Sequence, residues 1–421
     1  LLGTAGSNYR ESIYNNGFNK EKTPIAREQL LHFFTSTLKH IDHSIKANKR
    51  EDSLYHSYNL MAFSEEGVAI DTLPEMLEGQ VAVLNSGYLS SKEAVSLLQS
   101  LKKSALYRED QNSYLLYPNK KLSRFVDKNT IDKAQVKNSK LLQQLVKDGN
   151  TEIIVKDILD GYHFNASFNN VENLKKAINN LPIAYGKLIA EDDNAILDVF
   201  EDTFQHKYFT GRSGTFFGYE GLGSIYWHMV SKLVLGIQET YERAVNIQSE
   251  PEIIATLKQL YYDANDGIGV HKSPELYGAF PTDPYSHTPE GKGAQQPGMT
   301  GQVKEDILSR FGELGITIAQ GCISFQPSLL KKEEFIDIAG TFAYTNIDGE
   351  QKLVAFDKNA MCFTYCQVPI VYTLSDTKNI SVRYKNGTTT STDGMHLEQS
   401  DSQILFERTG EIEIVNVNIV L

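Results

Sequence analysis

Near Gly312 the spacing of apolar residues switches from the period of helices to that of strands, and no single repeating architecture accommodates both. Before the switch, Ile25–Asn48 carries Leu30, Leu31, Phe34, Leu38, Ile41 and Ile45 on one helical stripe, with Thr23-Pro24 as cap and first turn. The spacing predicts further helices over Leu73–Leu84, Ser91–Leu101, Lys140–Lys147, Val171–Asn179, Ala184–Phe200, Gly223–Ile247, Pro251–Tyr262 and about Gly301–Arg310. Ser90-Ser91 with Glu93 opens the third of these nine, and Pro251 suits a first-turn position. After the switch, β-branched and aromatic runs predict strands over Ile316–Phe325, Phe335–Thr345, Lys352–Phe356, Cys362–Leu374, Ile380–Tyr384, Gln403–Glu407 and Ile412–Val420. Asp348-Gly349, Asn386-Gly387 and Thr409-Gly410 supply the turns between some of them. The fold class is therefore mostly α then β, with a helical domain over 1–312 and a β-sandwich-like domain over 313–421.

Composition excludes some partners. The formal charge of −12 argues against nucleic acid, which selects clustered Lys and Arg. No run of eighteen apolar residues predicts a membrane span. The chain opens Leu-Leu-Gly-Thr-Ala-Gly without Met, so a leader or an N-terminal part of the same protein is expected to have been removed. The localisation expected is cytoplasmic, or periplasmic or secreted if a leader was lost. Cys322, Cys362 and Cys366 fit no disulfide framework and no zinc spacing, and read as buried thiols. His40 and His43 share a helix but lack a carboxylate partner. Asp263, Asn265 and Asp266-Gly267 lack the final Glu of a calcium loop, so no metal is expected.

Chemistry concentrates in four connections between helices. The first, Arg50–Asn59, sets Asp52 beside Tyr55, His56, Tyr58 and Asn59. The second places Arg108, Asp110, Gln111 and Tyr114 in one polar run, where an Arg108 ion pair is the plainer alternative. The third, Thr210–Gly223, holds five glycines with Arg212, Tyr219 and Glu220, and enters a helix carrying Trp227, either a sugar platform or a core residue. The fourth, Tyr277–Gln302, lacks helix or strand periodicity for more than twenty residues. It presents Asp283, Tyr285, His287, Gln295 and Gln296 before a helix opening at Thr300-Gly301-Gln302, with Thr300 as cap. Carboxylates beside stacking rings and neutral amides suit polar ligands with an apolar face, sugars among them. Asp52, Asp110, Glu220, Asp283 and Glu305 are the catalytic candidates, Glu220 and Asp283 first because they lie in loops.

The order Asp283-Pro284-Tyr285-Ser286, a Gly-rich stretch from Gly291 to Gly298, Thr300-Gly301-Gln302, Leu314-Gly315-Ile316, then Cys322 to Pro327 resembles the inverting glycoside phosphorylases that include the cellobiose and chitobiose phosphorylases. The likeness covers about fifty residues and extends in layout to the wider set of toroid glycosidases. It implies an (α/α)6 toroid; about nine predicted helices fall short of its twelve, so either weak helices escape the pattern or part of the ring lies upstream of Leu1. It also implies phosphate held at Thr300 and Gly301, with inorganic phosphate as co-substrate and no resident cofactor. The family's Asp general acid would fall within Tyr55–Met61, where this chain has Asn59 and no Asp; Asp52 is the nearest alternative. The function expected is cleavage of glycosidic bonds of an oligosaccharide or polysaccharide by hydrolysis or phosphorolysis. The alternatives are a sugar-binding scaffold that lost its acid, or a polysaccharide lyase using Tyr226, His228, Tyr285 and His287.

Overall fold

The computed structural model describes residues 2–18, 20, 22–64, 67–119, 125–204, 223–268, 271–280, 285–297 and 300–421. The chain divides into two compact units, Leu1–Glu51 and Asp52–Leu421. The first holds the helices Leu2–Asn16 and Arg27–Ala47. The predicted apolar stripe is present, but Leu30, Leu31, Phe34, Leu38 and Ile41 are all exposed. This helix begins at Arg27, where Gln29 Oε1 accepts from Ala26 N–H at 3.3 Å, so Thr23-Pro24 lies ahead of it and is not its cap.

In the second unit, the helix Trp227–Asn246 is central. It packs against Leu77–Asn85, Ser91–Lys103, Pro251–Asn265 and Thr300–Glu313. Trp227, Val230, Val234, Ile237, Tyr241 and Ala244 recur at helical spacing and are all buried. A Cβ at Gly236 would stand 2.0 Å from Asn85 Oδ1, so glycine there lets two helices close. The expected Ser90 cap is present: its Oγ accepts from Glu93 N–H, and Glu93 reaches back. Two helix starts fall four residues later than expected. The helix expected from Gly223 starts at Trp227, because Ser224–Tyr226 pairs as a strand, and the one expected from Leu73 starts at Leu77. Strands also enter the region expected to be helical, including the hairpin Leu60–Ser64 with Gly67–Asp71. Among the described residues helix occupies about 46% and strand about 23%, a mixed α/β content.

Residues 131–204 build a core of their own. The helices Lys133–Asn138, Lys140–Asp148, Val171–Asn180 and Gly186–Phe204 close with the hairpin Ile154–Lys156 and Tyr162–Phe164 over Ile131, Leu141, Leu145, Phe164, Ile178 and Phe200. Asp192 Oδ2 ties this unit by accepting from Ser139 Oγ at 2.9 Å and Leu141 N–H at 2.8 Å.

The C-terminal region is not a sandwich of two broad sheets. One five-stranded sheet, in the order Ala360–Tyr365, Val368–Leu374, Ile412–Ile419, Asn379–Tyr384, Thr389–Asp393, has partners on both faces. Ile370, Tyr372, Val415 and Val417 pack with Ile323, Phe325 and Leu405, whereas Val371 and Ile414 pack with Val354. Alternation along each strand requires these two sets to face opposite ways. The strand expected over Gln403–Glu407 is instead the end of a helix, Gln399–Glu407, because a short apolar run suits either period and Leu405 is buried in the core. Ile316–Phe325 is broken at Gln320-Gly321, and Cys362–Leu374 at Cys366-Gln367, where all four residues have positive φ. The strand expected over Phe335–Thr345 is shorter, Gly340–Thr345. The three cysteines are free and half-buried, not buried as expected. No described helix is long and apolar enough to cross a membrane.

Gln80, fully buried, joins the first of the polar connections to the helical core. Its Nε2 donates to Tyr55 O at 2.9 Å and Met76 O at 3.0 Å, and its Oε1 accepts from Tyr55 N–H at 2.9 Å. Gln80→Ala leaves buried peptide groups without partners, at about 1–3 kcal/mol for each. We expect a loss of about 2–4 kcal/mol, read as a lower urea midpoint at unchanged slope; an unchanged midpoint would show that water replaces the amide.

Candidate functional site

The central helix is entered through a three-stranded antiparallel sheet of Ser224–Tyr226, Tyr285–Pro289 and Gln295–Pro297. Its register places Tyr226 opposite His287 and His287 opposite Gln295, and directly opposed residues share a face. The Tyr226 and His287 rings stack with centroids 4.8 Å apart and planes 12° apart, and His228 lies 5.6 Å from Tyr226. His287 Nδ1 is 2.9 Å from Ser286 Oγ. A tyrosine and two imidazoles thus form one polar, aromatic row.

Beside it, Gln302 and Glu305 in the Thr300–Glu313 helix are 4% exposed, yet their Oε1 and Oε2 atoms respectively have no hydrogen-bond partner among the described residues. Glu305 Oε1 meets Lys304 Nζ at 3.2 Å. Half-buried His228 leaves Nδ1 equally without a partner. Burial holds its imidazole below the ordinary value of 6.5. Lys232 adds to the effect, Glu305 opposes it, and Lys304 and Glu78 contribute less. Most buried polar atoms are paired, so such groups clustered beside a helix start mark a place for a polar ligand.

A second feature is a groove of about 390 Å³ at the other end of the strand pair. Arg108, Asp110 and Gln111 reach it from the second connection, Gly223 from the end of the third, and Gly278 with Glu290–Gly293 from the fourth. Three connections distant in sequence therefore meet at one opening. Gly278, at φ +76°, and Gly293 make the crossing: a Cβ on Gly278 would lie 2.3 Å from Gly293 Cα. Asp110, Glu275 and Glu290 are its carboxylates, and Asn119 Nδ2 donates to Glu290 Oε2.

Several sequence candidates have structural roles instead. Trp227 is fully buried; its Nε1 donates to Thr288 Oγ1 at 2.8 Å, Tyr277 meets its ring edge-on, and Lys272 Nζ stands 4.7 Å from its centroid. It is a core residue, not a sugar platform. Tyr55 and Tyr114 are buried as well, at 2% and 6% exposure, so neither ring can stack on a saccharide. Buried Gln111 donates to Leu276 O at 2.8 Å and accepts from Lys272 Nζ at 3.2 Å, which occupies the amide. Arg108 holds Asp110 in a two-point ion pair, Nε to Oδ1 at 2.8 Å and Nη2 to Oδ2 at 3.0 Å, and also donates to Thr288 O. Asp52 Oδ1 accepts from Leu54 N–H at 3.1 Å, a turn contact. His56 and Asn59 are half-buried and Tyr58 is exposed at φ 54°. Tyr285 is half-buried edge-on to Tyr277, and Gln295 turns back to Gly293 O at 3.0 Å. Gln296 lies in the third strand. Thr300 and Gly301 open the helix Thr300–Glu313. Glu220, Asp283, Arg212 and Tyr219 lie outside the described residues.

Sequence reading missed Lys272, Asn119, Glu275 and Glu290, which carry no motif. It also missed Glu239 and Glu242, half a dozen residues before the end of the central helix. Burial, then the charge of Glu239, pushes Glu242 up to about 7. Fourteen residues separate it from His228, roughly 20 Å along the helix axis, so it serves no common site with the aromatic row.

These two groups give opposite pH dependences. The unfolded chain protonates its histidine first as pH falls, so the stability that neutral His228 provides is present above 6.5 and lost below it. Glu242 is protonated more readily in the folded state, so its contribution is present below 4.5 and lost as pH rises through about 7. Urea unfolding across pH 4–8 should show His228→Asn less sensitive than wild type to falling pH. Glu242→Gln should be less sensitive to rising pH; parallel curves for either variant would contradict the corresponding assignment.

Residues 122–207 match the family model of the GH149 phosphorylase insertion domain 2. The matched span encloses the separately cored segment described above, and it supports a relation to a glycoside phosphorylase family through that inserted domain. No curated protein matches the chain.

Proposed function

We propose that this chain is part of a glycoside phosphorylase, cleaving a glycosidic bond of an oligosaccharide with inorganic phosphate as the attacking co-substrate. The observation that carries the reading is the phosphorylase insertion-domain match, which coincides with a segment that has its own core. The helices packed around Trp227–Asn246 are, on this reading, part of an (α/α)6 toroid of the kind found in the cellobiose and chitobiose phosphorylases, and the β-rich region after residue 312 follows it.

The proposed chemistry divides between two places. Phosphate is held at the first turn of the Thr300–Glu313 helix, where free backbone N–H groups favour an anion. Neutral His228 contributes a nitrogen, and Gln302 and Glu305 accept from the two O–H groups of the phosphate monoanion, so both buried oxygens gain the partner they otherwise lack. The saccharide lies toward the aromatic row of Tyr226 and His287 and the groove carrying Arg108 and Glu290. A carboxylic acid, assigned to Asp283 or Glu220, protonates the glycosidic oxygen. A phosphate oxygen attacks the anomeric carbon from the opposite face, and the C–O bond breaks to give a sugar 1-phosphate and a shortened saccharide.

The test is product analysis of the full-length protein on an oligosaccharide panel with and without phosphate. Sugar 1-phosphate formed only when phosphate is present is the expected result. Glu305→Gln and His228→Asn should each raise KM for phosphate about tenfold or more, the loss of a charged or buried hydrogen bond. Reducing sugar formed independently of phosphate would indicate a hydrolase, and an unsaturated product a lyase. Binding without turnover would favour a scaffold, the reading to which Asn59 at the acid position lends support.

A further inference from the structure

The inserted segment carries a second groove, of about 620 Å³, that the chemistry above does not use. Lys133, Lys137, Lys140 and Lys147 line it with Gln143 and Tyr162, and no carboxylate lines it among the described residues. Lys133 and Lys137 are one turn apart on one helix, and Lys140 and Lys147 are two turns apart on the next, so each pair shares a face. Lys140 is anchored by Glu191 at 2.9 Å. Lys133 and Lys147 sense Asp160 and Asp148 only at longer range, without an ion pair among the described residues. Four lysines therefore line one concavity in a chain of formal charge −12, and three of them have no ion pair among the described residues. Their like charges favour an anion as the occupant.

We infer that this groove binds an anionic saccharide, one bearing carboxylate, sulfate or phosphate groups. Its volume falls within the range of about 300–1,000 Å³ typical of small-ligand sites. The half-buried Tyr162 offers a ring to the apolar face of a sugar, and Gln143 offers an amide for hydroxyl groups. Lysine is a compact charge on a flexible stem and accepts anions of differing geometry, so the site selects charge without selecting one acid type. A single-stranded nucleic acid would call for successive aromatic platforms, and Tyr162 is the one ring among the described lining residues.

Calorimetric titration of the full-length protein tests this with trigalacturonate, a sulfated disaccharide, neutral cellotriose and oligo(dT). The two anionic sugars should bind and cellotriose should not compete with them. Binding should weaken about tenfold in the triple variant K133Q/K137Q/K147Q and weaken further between about 50 and about 200 mM salt. These three lysines are exposed, and Lys140, which supports the fold through Glu191, is left in place. Equal affinity for neutral and anionic sugars, or no change in the triple variant, would overturn the proposal. Tighter, lysine-dependent binding of oligo(dT) would replace it with a nucleic-acid site. Phosphorolysis by the triple variant should equal wild type, so failure of this site and failure of the phosphorylase reading give separate results.

Discussion

The second unit depends on how its central helix begins. Trp227 is fully buried at the first position of that helix, and its indole N–H is satisfied by Thr288 from a neighbouring strand. Burying a large side chain is worth about 1.5–3 kcal/mol, but burying an indole also requires a partner for its N–H. One contact therefore fixes a helix in the core and aligns the Tyr285–Pro289 strand against Ser224–Tyr226. Ile225 and Thr288 turn inward, so Tyr226 and His287 must turn the other way. The aromatic row is a consequence of core packing.

The same helix brings together groups that the core alone does not satisfy. A carboxylate oxygen, an amide oxygen and an imidazole nitrogen without partners among the described residues are costly in a packed interior. Gln80, Gln111 and Asp192 are as deeply buried but fully engaged with backbone or side-chain donors and acceptors. The contrast separates buried polar residues that hold the fold from those that leave atoms free for a ligand.

The segment 131–204 has a different relation to the rest. Its Phe164, Phe168, Phe200 and Phe204 pack among themselves, and Asp192 and Asn129 tie its helices and hairpin internally. A segment with its own core can tolerate surface change without disturbing the central helix.

By itself the sequence determined the strand-rich character after residue 312, the Ser90 cap, the Pro251 start and most helix spans, because those features rest on local periodicity and backbone capping. It also marked the second and fourth connections as chemically rich, and those do meet at one groove. Periodicity could not distinguish a platform from a core residue: Trp227, Tyr55 and Tyr114 fit either reading until their surroundings were known. It could not separate the helix at Gln399–Glu407 from a strand, since a short run with Ile404, Leu405 and Phe406 at its centre satisfies both periods. Tertiary structure alone decided which polar atoms were left without partners, because pairing between His228, Gln302 and Glu305 depends on two helices that meet far apart in the chain. Local sequence specifies which groups can form hydrogen bonds; only packing specifies which of them are denied both water and a neighbour.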